Sequence, residues 1–116
     1  MREKRRHSRL DLDGLLILAL DLEDRPRVHC LVRNLSLSGT LLECPSVGYP
    51  ADVEPGDAVY LDDEAPETHR LLGGVRGVVV WTYRRFIGVE FREFLFPEEE
   101  ILRRWLEEHS LLLPLV

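Results

Sequence analysis

Arg27-Val-His-Cys-Leu-Val-Arg-Asn-Leu-Ser-Leu-Ser-Gly-Thr-Leu-Leu-Glu-Cys44 is the stretch whose reading decides the fold. Residues 27–33 alternate, with Val28, Cys30 and Val32 on one face and His29, Leu31 and Arg33 on the other. A period of two marks a half-buried strand. Residues 40–44 form a second short apolar run, and Asn34 to Gly39 make a polar corner between the two. Asn34 and Ser36 carry side chains that bond nearby backbone groups and so favour turns. Gly39 supplies either a positive φ or a surface without a Cβ, where a neighbour or a ligand comes close. A well-made turn accounts for the corner by itself. The same residues also fix one amide and one hydroxyl at a strand end beside an open floor, which suits binding.

Working outward, Gly14 to Asp21 reads as a strand before this pair, and Glu23-Asp-Arg-Pro26 as the turn between them. After the pair come a Pro/Gly loop closed by Glu54-Pro-Gly-Asp57 and a strand at Ala58-Val-Tyr-Leu61. A long strand is expected from Thr68 to Tyr83, bent or bulged at Gly73-Gly74 and Gly77. Arg84-Arg85 turns the chain, and Phe86 to Arg92 pairs back with Ile87, Val89 and Phe91 on one face. Six strands with short turns in so small a chain predict an all-β fold, a six-stranded antiparallel β-barrel.

The period then changes. Pro97 is placed at a helix start, where its missing N–H costs nothing, with Glu98-Glu-Glu100 in the first turn. Ile101, Leu102, Trp105 and Leu106 form one apolar stripe, and Glu99–Arg103 and Glu100–Arg104 stand four apart on the outer side. This C-terminal α-helix is expected to cap the barrel through Trp105. The whole chain, 1–116, is then one domain: a flexible basic arm at 1–9, the barrel at 14–92 and the helix at 97–110. The apolar tail Leu111-Leu-Leu-Pro-Leu-Val116 is expected to fold back or to meet another subunit as a homodimer.

A chain of 116 residues with 45% apolar content builds a real core and leaves little room for a second domain. The charged N-terminus lacks the apolar stretch of a signal peptide and no run is long enough for a membrane span, so a cytoplasmic location is expected. Cys30 and Cys44 match no metal or redox spacing and read as free, buried thiols. The four histidines form no ligand pattern, so no metal and no cofactor are indicated. No nucleophile–base pair or phosphate-cradling glycine loop before a helix appears, which argues against an enzyme.

Charge is segregated. Residues 1–9 hold Arg2, Lys4, Arg5, Arg6 and Arg9 against Glu3, a net of +4. The rest holds ten Lys or Arg against twenty Asp or Glu, a net of −10, and the two give the chain's −6. A body this acidic repels a nucleic-acid polymer, which asks for a basic face across the domain. A small ligand with few phosphates, held by the arm, fits better. Arginines suit that work because each planar fork takes phosphate oxygens or the O6/N7 edge of guanine in pairs and also stacks on a base.

With Arg5 and Arg9 as Arg-x-x-x-Arg and Asn34, Ser36 and Gly39 as Asn-x-Ser-x-x-Gly, the sequence resembles a PilZ domain, a family of bacterial second-messenger receptors. Pro55-Gly-Asp57, Gly77-Val-Val-Val-Trp81 and Gly88-Val-Glu-Phe91 follow the family's usual order, so the resemblance covers nearly the whole chain. It implies a stand-alone receptor for cyclic di-GMP. Arg5, Arg9 and an assisting Arg6 would grip guanines and phosphates, Asn34 and Ser36 would bond the other side, and Gly39 would leave room. Ordering of the arm would then present a surface to a protein partner. Lys4 stands where many members extend the arginine cluster. The alternative implied by the family is an interaction adaptor that does not bind the nucleotide. Trp81 is expected to pack in the core.

Overall fold

The computed structural model describes residues 8–13, 16–44, 53–63 and 71–113. Its elements are β1 (Leu10–Asp11), β2 (Ile17–Asp21), β3 (Val28–Leu35), β4 (Gly39–Glu43), β5 (Ala58–Asp63), β6 (Val75–Tyr83), β7 (Phe86–Phe91) and α1 (Glu99–Glu108). The strands follow the order β1-β3-β2-β5-β6-β7-β4, and β4 returns to β3. Strands β2 to β7 therefore close a six-stranded antiparallel barrel, with β1 added to it. β3 is the hub. One of its edges takes β2 through Val28–Leu31 and β1 through Asn34 and Leu35, while the other takes β4.

Alternation fills the barrel. Leu18, Leu20, Cys30, Val32, Leu42, Leu61, Val79 and Ile87 turn inward and are buried. Each such aliphatic side chain contributes about 1.5–3 kcal/mol by leaving water. Helix α1 closes one opening with Leu102 and Leu106, both fully buried. Trp105 is only half-buried and stacks on His109, one turn on, with ring centroids 3.9 Å apart. The leucines form the plug, and Trp105, expected to do so, packs against the core beside them.

Three further expectations are corrected. β1 was not anticipated, because two residues carry no readable period. β6 begins at Val75, and Gly73-Gly74 forms a turn instead of a bent strand; Gly74 takes φ +82° and donates to Leu61 O at 2.8 Å. Residues 68–70 of the expected strand lie outside the described residues. The helix starts at Glu99 with Glu98 as an extended N-cap (φ −138°, ψ 149°), so Pro97 precedes the cap and is not the first helical residue. Glu98 O already accepts from Ile101 N at 3.2 Å, so the turn closes one step later than the proline suggests.

The helix end decides where the tail goes. Ser110 takes a left-handed φ of 57°, Ser110 N donates to Glu107 O and Leu111 N to Leu106 O. This is the two-bond Schellman arrangement, with its apolar contact supplied by buried Leu106 and Leu111. The chain reverses and runs beside the segment that follows the arm. Asp13 N donates to Leu111 O at 2.8 Å and Leu113 N to Asp11 O at 2.9 Å, around the Leu12–Leu112 bridge. Residues 111–113 thus fold back onto the domain, while 114–116 lie outside the described residues.

Candidate functional site

Two β-bulges shape one face. On β3 the register shifts between Val32 and Asn34. Simple alternation would send Asn34 inward with Cys30 and Val32. The extra residue reverses the parity, so Leu35 enters the core and Asn34 lines an outer groove. On β6 the register shifts between Val79 and Trp81, leaving Val80 and Trp81 both exposed, at 46% and 38%. Trp81 pairs across the sheet with Gly88 and lies on it, the indole filling the space where a Cβ would stand. The expectation of a core Trp81 is therefore corrected. The bulge turns it out of the barrel.

Between the bulges lies a groove of about 360 Å³ lined by Arg9, Asn34, Ser36, Gly39, Trp81 and Glu90, among others. Its polar end is the corner between β3 and β4. Ser36 N donates to Gly39 O at 2.9 Å, while Ser36 Oγ accepts from Ser38 N at 3.2 Å and Gly39 N at 3.1 Å. The hydroxyl is thus the staple of the turn. Its own proton has only long contacts, to Gly39 O at 3.4 Å or Ser38 Oγ at 3.5 Å, so it is available to a better acceptor. Thr40 Oγ1 donates to Asn34 O at 2.8 Å and pins the backbone beneath the amide.

Gly39 resolves the choice left by the sequence. It has no positive φ; among described glycines only Gly56 and Gly74 do. Gly39 faces Glu90 across β4 and β7, and a Cβ on it would stand 2.6 Å from Val89 O. The glycine is required by close approach of β7, and it keeps the groove floor low.

Of the six candidate residues, Arg9, Asn34, Ser36 and Gly39 share this groove. Arg5 and Arg6 lie outside the described residues. The arm is anchored next to the site: Ser8 N donates to Glu99 Oε1 at 3.1 Å, and Leu10 and Asp11 pair with Leu35 and Asn34. Sequence reading missed Gly88, Glu90 and Phe94 as lining residues. The Gly88-Val-Glu-Phe91 pattern holds the first two, but only the register with Trp81 and Gly39 shows which way they face. Arg9 is the one cation and Glu90 the one anion among the described lining residues.

Among the described residues no cluster of His, Cys, Asp or Glu is placed to hold a metal ion, and no helix is long and apolar enough to cross a membrane. A closed barrel thus carries on its outer face a groove with an aromatic beside a glycine floor, a stapled polar corner and Arg9 next to it. The PilZ domain family model matches residues 3–108, so the chain belongs to the PilZ domain family. It is similar to the solved structure described as the PilZ domain with c-di-GMP of YcgR from Escherichia coli, at 13% identity and a TM-score of 0.68. That match covers 93% of this chain and 92% of the other. No curated protein matches.

Proposed function

We propose that the chain is a cyclic di-GMP receptor whose site is the groove between the β3–β4 corner and Trp81. The observation that carries the reading is the convergence of Arg9, Asn34, Ser36 and Gly39 on one groove. These come from two segments separated by about a fifth of the chain. The similar YcgR domain is described as holding c-di-GMP.

In this reading Arg9, with Arg5 and Arg6 from the arm, meets guanine edges and phosphates. Asn34 supplies an amide to a base edge, and the Ser36 hydroxyl turns its proton toward the ligand. Gly39 keeps the floor open. Ordering residues 1–9 costs part of the binding energy, and the ordered arm becomes the surface offered to a protein partner. The receptor has no chemistry of its own.

The test is fluorescence titration of a Trp105→Phe variant, in which Trp81 is the remaining tryptophan. Cyclic di-GMP is expected to change its emission saturably, and cyclic di-AMP, which lacks the guanine O6, to do so far less. An unchanged spectrum at saturating nucleotide, together with no retention in equilibrium dialysis, would remove this reading and leave the adaptor.

A further inference from the structure

The strongest feature outside the groove is a pair of sulfurs. Cys30 on β3 and Cys44 just past β4 are both buried and free, with Sγ atoms 3.5 Å apart. Leu31 pairs with Glu43, which makes Cys30 and Cys44 the next cross-strand pair. Cys44 N donates to Arg85 O, and Val32 N donates to Leu16 O. Even-numbered residues in this part of β3 therefore turn their backbone groups toward β2, and Cys44 turns its own toward β7. Cys30 and Cys44 are a non-hydrogen-bonded pair, the kind whose Cα atoms stand about 4.5 Å apart with side chains closest. That spacing is at the short end of the range disulfides span. Closing the bond needs the sulfurs to approach from 3.5 Å to about 2.05 Å.

We propose that Cys30 and Cys44 are a reversible redox couple, oxidised by hydroperoxide to a cross-strand disulfide. The Cys44 thiolate attacks the peroxide O–O bond, giving a sulfenic acid and releasing hydroxide. The Cys30 sulfur then attacks the Cys44 sulfur; the S–O bond breaks, and the Cys30 proton leaves with the hydroxyl as water. Both sulfurs are oxidised and one peroxide is reduced to water.

The hydrogen bond between the thiols divides these roles. Cys30 has Val28 O at 3.7 Å as an acceptor for its proton, and its pKa is raised, first by the bond to Cys44 and then by burial. With the Cys30 proton donated to Val28 O or turned to Cys44, the Cys44 pKa is lowered by the contact between the two sulfurs. Cys44 is also the nearer to the barrel's rim, since it lies past the end of β4 and bonds the β6–β7 turn. Strand ends open at a free energy well below that of global unfolding, which gives a small oxidant access. The bond would close a loop that contains Asn34, Ser36 and Gly39, joining the two strands that carry the corner.

The test uses the folded full chain treated with hydrogen peroxide. Trypsin cuts at Arg33, placing Cys30 in the peptide 28–33 and Cys44 in the peptide 34–70. The expected result is loss of both thiols together, a mass lower by two hydrogens, and the two peptides joined until a thiol reductant is added. In a Cys30→Ser variant Cys44 should instead collect oxygen. Oxygen addition to the unmodified chain without the cross-link, a link between two chains, or thiols that react only in denaturant would each overturn the proposal.

Discussion

The carbonyl oxygen of Val89 stands 2.6 Å from the point where a Cβ on Gly39 would lie. The obstacle is backbone in the middle of a paired strand, so β4 and β7 must separate to admit even a methyl group. Gly39→Ala is expected to lower stability by about 1–3 kcal/mol, the usual range for overpacking. Urea unfolding measures it, and a variant as stable as the parent would show that β7 yields freely.

Gly88 makes the contrast. A Cβ there meets the Trp81 indole, a side chain that is partly exposed and free to swing outward. Gly88→Ala is expected to cost less stability than Gly39→Ala while displacing Trp81. Tryptophan emission shifted to longer wavelength in the variant checks this.

The end of α1 holds Ser110 in the left-handed region, where a side chain costs about 1–2 kcal/mol and glycine almost nothing. Ser110→Gly should stabilise the protein by about 1 kcal/mol, less the entropy glycine adds to the unfolded chain. A rise in the urea midpoint with an unchanged slope is the expected readout.

Asp57 holds the turn Glu54-Pro-Gly-Asp57. Its Oδ2 accepts from Arg25 Nη1 at 3.0 Å and from Glu54 N at 2.8 Å. The Arg25 bond, then the backbone one, hold its carboxyl below the usual range. A depressed folded pKa means the group stabilises the fold above the unfolded value of about 3.9, an increment lost as pH falls through the lower folded value. Asp57→Asn should therefore melt below the parent at pH 7, with the gap narrowing as pH falls below about 4. Thermal unfolding across that window tests it, and a gap independent of pH would show that charge is not involved.

Legibility in the sequence followed the strength of local signals. The alternation of residues 27–33, the turn chemistry of Ser36 and the apolar helix stripe were strong enough to predict the barrel, the corner and α1, although Asn34, expected in the turn, is a paired residue of β3. β1 escaped because Leu10 and Asp11 are held by Leu35 and Asn34, a pairing between segments far apart in the chain. The two bulges escaped because Arg33 and Val80 differ in no way from ordinary strand residues. Yet those bulges turn Asn34 and Trp81 into the groove. The corner was readable, whereas its aromatic wall was set by register alone.

Calorimetric titration with cyclic di-GMP, with Arg9→Ala alongside, tests the receptor reading most directly. The parent should bind saturably. The variant, folded as before, should bind about thirtyfold more weakly, equivalent to the ~2 kcal/mol of one hydrogen bond to a charged group. Equal affinity in both proteins, or no saturable heat from the parent at any temperature tried, would contradict the assignment of the groove as a cyclic di-GMP site.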